Sequence, residues 1–65
     1  MILDYDKLRA KRKEKKMTQE QLADKVGTSR VTISKWEAGH VDPTLSMYVA
    51  WTRALGVSLQ YAITA

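Results

Sequence analysis

Residues 17–27, MTQEQLADKVG, constrain this chain more than any other stretch. Thr18 stands three residues before Gln21, the T-x-x-Q spacing of a capping box. In that motif a hydroxyl and an amide satisfy the free N–H groups of a helix start. Met17 and Leu22 sit at the positions of the matching hydrophobic staple, so four residues agree on one boundary. Leu22, Ala23 and Val26 then face inward, and Gly27 ends the helix where left-handed backbone is wanted. A second apolar-patterned piece follows at once. Ser29 (or Thr28) caps it, Ile33 and Trp36 form its inner face with Glu37 beside them, and Gly39 stops it.

Each piece is only about two turns long. Isolated helices need roughly 12–15 residues to hold in water, so neither piece stands alone. Ala23 is small where the two would approach most closely, and Gly27 permits a tight corner. Ile33 and Trp36 plug the second helix into a core. This spacing describes a helix-turn-helix. It turns Arg30, Val31 and Lys35 away from the second helix's own apolar face.

The rest of the chain supplies supporting helices. Helix 1 is expected over about Tyr5 to Lys15, capped by Asp4, with a thin buried side of Tyr5, Leu8 and the stem of Arg12. Helix 4 is expected from about Thr44 to Leu55. Leu45, Met47, Tyr48, Trp51, Ala54 and Leu55 share its broad apolar side, and Gly56 ends it. Ser58 is expected to cap a last short helix carrying Leu59, Tyr61, Ala62 and Ile63. β-branched residues do not alternate, so strands are not expected. Trp36, Trp51 and Tyr48 point inward at helical spacing and read as core, not as platforms for unpaired bases.

Composition excludes several functions. With 65 residues and no cysteine, the chain is one domain whose small core has no disulfide and no thiolate metal site. His40 is the lone histidine, so no metal is expected. No acid/base cluster, nucleophile–base pair or phosphate loop suggests an enzyme, and no cofactor or small-molecule ligand is implied. No apolar run is long enough to span a membrane, and the N-terminus lacks a signal-peptide pattern, so a cytoplasmic location is expected. The net charge is +4, and the excess lies in one segment: residues 7–16 hold seven basic residues against one acid. Such a run invites a polyanion, although a charged helix face is more often simply solvated.

The stretch M-T-Q-E-Q-L-A-D-K-V-G-T-S-R-V-T-I-S-K-W-E-A-G resembles the helix-turn-helix of phage repressors and Cro proteins, also called the xenobiotic-response-element type. The likeness extends to L-R-A-K-R in helix 1, to Pro43, and to A-L-G-V-S at 54–58. It implies an all-α, compact five-helix lambda-repressor-like domain covering residues 1–65. It implies a sequence-specific regulator of transcription, most simply a repressor, that puts helix 3 into the major groove of double-stranded DNA. The resemblance places Ser29, Arg30, Val31, Thr32 and Lys35 at base edges, with Ser34 nearby. It places Thr18, Gln19, His40 and Arg12 near phosphates. Arg12 and Glu37 correspond to a structural salt bridge in some relatives.

Two departures stand out. Relatives often carry glycine where Lys16 ends helix 1, and some carry basic residues where Asp42 stands. One short recognition helix contacts few base pairs, so a homodimer is expected, built on Val49, Leu59, Tyr61 and Ile63. An antitoxin-type interaction module and a restriction–modification controller are the alternative readings.

Overall fold

Thr18 accepts a hydrogen bond from the Gln21 N–H at 3.0 Å, and the Gln21 side chain accepts one from the Thr18 N–H at 2.9 Å. This reciprocal box opens α2 (Gln19–Val26), and Gly27 closes it at φ +89°. In this computed structural model, which describes residues 2–64, three other α-helices start on the same kind of cap. Asp4 accepts from the Lys7 N–H ahead of α1 (Tyr5–Glu14). Ser29 accepts from Thr32 ahead of α3 (Arg30–Glu37). Thr44 accepts from Met47 ahead of α4 (Leu45–Leu55). Each cap satisfies a helix-start donor and is worth on the order of 1 kcal/mol.

The helices lock around two aromatic rings. Trp36 of α3 and Trp51 of α4 lie with ring centroids 5.2 Å apart. Leu8, Leu22, Ile33, Trp51 and Leu55 are fully shielded from solvent. α2 packs against both α3 and α4, and α1 lies against α3. The aromatic residues expected in the core are there, and Tyr48 donates its buried hydroxyl to the Leu59 carbonyl.

Two features depart from the sequence reading while leaving the fold all-α, and one more had no sequence signal. The expected fifth helix is a four-residue 3-10 turn, Leu59–Ala62, and the Ser58 side chain makes no capping bond. The chain is instead claimed by its own N-terminus. Leu3 and Ile63 form an isolated antiparallel bridge, Asp4 N–H donates to Ala62 at 2.7 Å, and Thr64 N–H donates to Ile2 at 3.0 Å. Those bonds require extended backbone at Ile63 (φ −84°, ψ 123°), which stops a helix. Second, Leu45 is 68% exposed. It lies in the first turn of α4, where the apolar stripe runs past the edge of the core. Third, Thr52 is buried at 1% exposure, and its hydroxyl donates to the Val49 carbonyl at 2.9 Å. A polar group bonded within its own helix enters a core without leaving an orphan donor.

Lys16 carries the one positive φ of a non-glycine residue among the described residues, +57°. The Met17 N–H closes back onto the Arg12 carbonyl at 3.1 Å, which wraps up the end of α1 and requires the left-handed residue between. Lysine holds that conformation against a Cβ clash that glycine lacks. Lys16→Gly is therefore expected to raise stability by about 1 kcal/mol in urea unfolding. A loss of stability would show that Lys16 is not strained.

Candidate nucleic-acid interface

Glu37, the last residue of α3, accepts hydrogen bonds from two other helices. Arg12 of α1 approaches it side-on, Nε to Oε2 at 2.7 Å and an Nη to Oε1 at 3.1 Å. Gln19 of α2 adds its amide to Oε1 at 3.1 Å. The other Arg12 Nη donates to the Met17 carbonyl at 2.8 Å, on the link between α1 and α2. The ion pair is nearly dry: the Arg12 and Glu37 side chains are 9% and 2% exposed. A planar guanidinium facing a carboxylate fixes direction as well as distance. This network pins the C-terminal end of α3, while Ile33 and the corner at Gly27 pin its start.

With its inner side and end held, α3 offers the opposite face to solvent. Arg30, Val31, Ser34 and Lys35 are all exposed, and Val31 remains 54% open despite being apolar. Thr32 is half-buried, and its hydroxyl lies 2.9 Å from that of Ser29, so these two side chains are partly occupied with each other. Thr18 is exposed but engaged in its cap, and Gln19 is half-buried beside Glu37. His40 is exposed just after α3, where its backbone N–H returns to the Lys35 carbonyl at 3.0 Å. Arg12 differs from the other phosphate candidates. Its guanidinium is turned inward and three of its donors are used within the protein. It is placed as a strut.

The four dimer candidates do not share one environment. Leu59 and Ile63 are exposed, at 43% and 36%, and Ile2 near them is open at 61%. Tyr61 is half-buried, with the Lys7 ammonium 4.4 Å from its ring centroid. Val49 is half-buried on α4, in a shallow groove it shares with Lys25 and Arg53.

One contact had no sequence signal. The Tyr5 hydroxyl donates to the Asp42 carboxylate, tying the start of α1 to the loop after α3 across 37 residues. Burial first, and then the Asp42 bond and charge, push the Tyr5 phenol up to about 12. Among the described residues no group of side chains could hold a metal ion, and no helix is long and apolar enough to cross a membrane.

Two outcomes follow from these contacts. Arg12→Ala and Glu37→Ala each strand a buried charge, so each is expected to cost roughly 3–5 kcal/mol in urea unfolding. Losses under about 1 kcal/mol would mean that water screens the pair. The fold also favours the neutral Tyr5 phenol. Its contribution is present below the ordinary value of 10.0 and lost as pH rises through about 12. In alkaline titration of stability, Tyr5→Phe is expected to fall less steeply than the wild type over that window. Parallel curves would contradict the coupling.

The chain matches the helix-turn-helix family over residues 8–61. It is 36% identical over 58 residues to repressor protein C2 of Salmonella phage P22, covering 89% of this chain and 27% of the relative. It is 34% identical over 58 residues to an HTH-type transcriptional regulator, YqaE, of Bacillus subtilis, covering 89% of this chain and 50% of the relative. The chain thus spans half or less of the length of these two relatives. The crystal structure of the P22 c2 repressor with a synthetic operator superimposes with a TM-score of 0.86 at 36% identity, covering 94% of this chain and 92% of that one. Fold, motif spacing and sequence agree, and the chain belongs to the helix-turn-helix family of phage-repressor-like proteins.

Proposed function

We propose that this chain binds double-stranded DNA sequence-specifically and regulates transcription, most simply as a repressor that occludes a promoter. The observation that carries this reading is the two-sided character of α3. Its inner side and end are fixed to α1 and α2 and, through Trp36 against Trp51, to α4, while Arg30, Val31 and Lys35 are exposed on its outer side. Eight helical residues span about 12 Å, a length that fits within a major groove of similar width. Arg30, at the start of α3, is suited to take guanine O6 and N7 with two hydrogen bonds. Lys35 offers a single charge to a guanine, and Val31 packs on a thymine methyl. Ser29 and Thr32 lie at the same end of the helix. Thr18, Gln19 and His40 are suited to phosphates beside the groove, the first two at the N-terminus of α2. The resemblance to a repressor crystallised with operator DNA supports the same reading.

The protein acts by binding alone, without chemistry. It works as a homodimer, because one short helix reads few base pairs. Two copies would meet grooves one turn apart, about 34 Å. Leu59 and Ile63 supply the exposed apolar surface for that contact, with Tyr61 and Val49 at its margins.

Binding to random and selected duplexes across a salt series tests the proposal. The log–log slope is expected to be steep, with each neutralised phosphate adding about −0.9, and selection is expected to yield inverted half-sites. Arg30→Ala is expected to relax the preference at one base pair by about 1–3 kcal/mol while leaving the fold intact. A shallow slope without any preferred site would sink the proposal. An unchanged preference in Arg30→Ala would remove Arg30 from the base contacts.

A further inference from the structure

The loop between α3 and α4, residues 38–44, carries a single acidic side chain, Asp42. Asp42 is exposed and meets no cation among the described residues; its partner is the neutral Tyr5 hydroxyl. Tyr5 holds this loop at two points. Its ring lies against Gly39, where an added Cβ would stand 3.6 Å from it, and its hydroxyl donates to Asp42. The ring is itself anchored, with its centroid 6.4 Å from that of Trp51. Trp51 in turn packs on Trp36, on the inner side of α3. Tyr5 therefore comes to Asp42 from the core side, whereas helical period sets Val31 and Lys35 on the opposite side of α3. A hydroxyl that donates to a carboxylate makes a strong bond but leaves the negative charge in place.

We propose that Tyr5 is a positioning residue for DNA binding: it holds the Asp42 carboxylate turned toward α1 and so keeps that charge off the duplex. The proposal rests on the DNA-binding reading above and deepens it. Tyr5 touches no nucleic acid itself. An acid without a cation, on the loop that directly follows the recognition helix, repels the polyanion that the helix approaches. Between exposed charges that repulsion reaches about 10 Å at roughly 0.1 M salt. The loop is exposed from Ala38 to Asp42, so a carboxylate released there would sample outward positions. The bond to Tyr5 removes those positions, and the ring anchored between Gly39 and Trp51 keeps the loop from carrying the charge outward. Among the described residues no other hydrogen bond reaches the Asp42 side chain, so the restraint depends on one hydroxyl.

The test is a double-mutant cycle of Tyr5→Phe and Asp42→Asn, read as duplex affinity across a salt series. Tyr5→Phe keeps the ring and frees the carboxylate. It is expected to bind random and selected duplexes about threefold more weakly at about 0.05 M salt, with the loss shrinking toward about 0.3 M as screening shortens. The ratio of selected to random affinity should not change, because repulsion from the backbone carries no sequence information. Asp42→Asn is expected to bind at least as tightly as the wild type. Tyr5→Phe/Asp42→Asn is expected to match Asp42→Asn, because no charge is left to restrain. This comparison separates the place of a charge from the stiffness of the loop, since Tyr5→Phe loosens the loop in either background. Affinities are taken per folded protein, from the thermal unfolding of each variant, so that lost stability is not read as lost binding. An unchanged affinity in Tyr5→Phe, or a loss that persists beside Asp42→Asn, would overturn the proposal and leave the DNA reading standing. Failure of the wild type to bind any duplex would overturn both.

Discussion

The contact between Arg12 and Glu37 is the constraint on which the rest of the structure depends. It joins α1 to the end of α3, and Gln19 brings α2 onto the same carboxylate. Burying such a pair is costly, and a well-packed apolar pair of similar volume often matches it in stability. What the ion pair adds is direction. Two parallel hydrogen bonds resist rotation in a way that apolar packing does not. The helix with the exposed Arg30, Val31 and Lys35 face is thus held at one end by polar geometry and at the other by Ile33 and the turn at Gly27.

The other contacts support that arrangement within a very small core. Helices of eight residues do not hold alone, so each starts on a side-chain cap and each buries its inner face in the one core that holds Trp36 and Trp51. The Leu3–Ile63 bridge ties the two ends of the chain together, and Tyr5 reaches the loop behind α3. Strain is accepted at Lys16, where the link from α1 to α2 must turn tightly enough to place Arg12 beside both Met17 and Glu37. Charge follows the same division. Most of the basic run spreads over the outside of α1, whereas Arg12 is buried against Glu37 of α3.

The parts of this arrangement set by short-range rules were legible from the residues. The capping box, the staple and Gly27 fixed the corner because each acts within about five residues of itself. Ile33 and Trp36 were placed inward by helical period alone. The Arg12–Glu37 pair came from resemblance, since no local rule joins residues 25 apart. The same reason hid the Tyr5–Asp42 bond and the Leu3–Ile63 bridge. The expected fifth helix gave way to a 3-10 turn because pairing with the N-terminus competed with helix propensity and won. Periodicity could not show that the stripe of α4 outruns the core at Leu45, or that Thr52 would bury its hydroxyl by bonding within its own helix. The basic run was conspicuous in the sequence, yet its composition said nothing of which cation would face α3.

The most direct measurement is the ratio of selected-site to random-duplex affinity in the double variant Arg12→Met/Glu37→Leu. Replacing both partners by apolar side chains keeps the core filled and leaves no stranded charge. If the ion pair exists to aim α3, the variant folds with stability close to the wild type, keeps its random-duplex affinity, and loses most of its preference for the selected site. A folded variant with an undiminished ratio would contradict that role, because packing alone would then be enough to orient the helix.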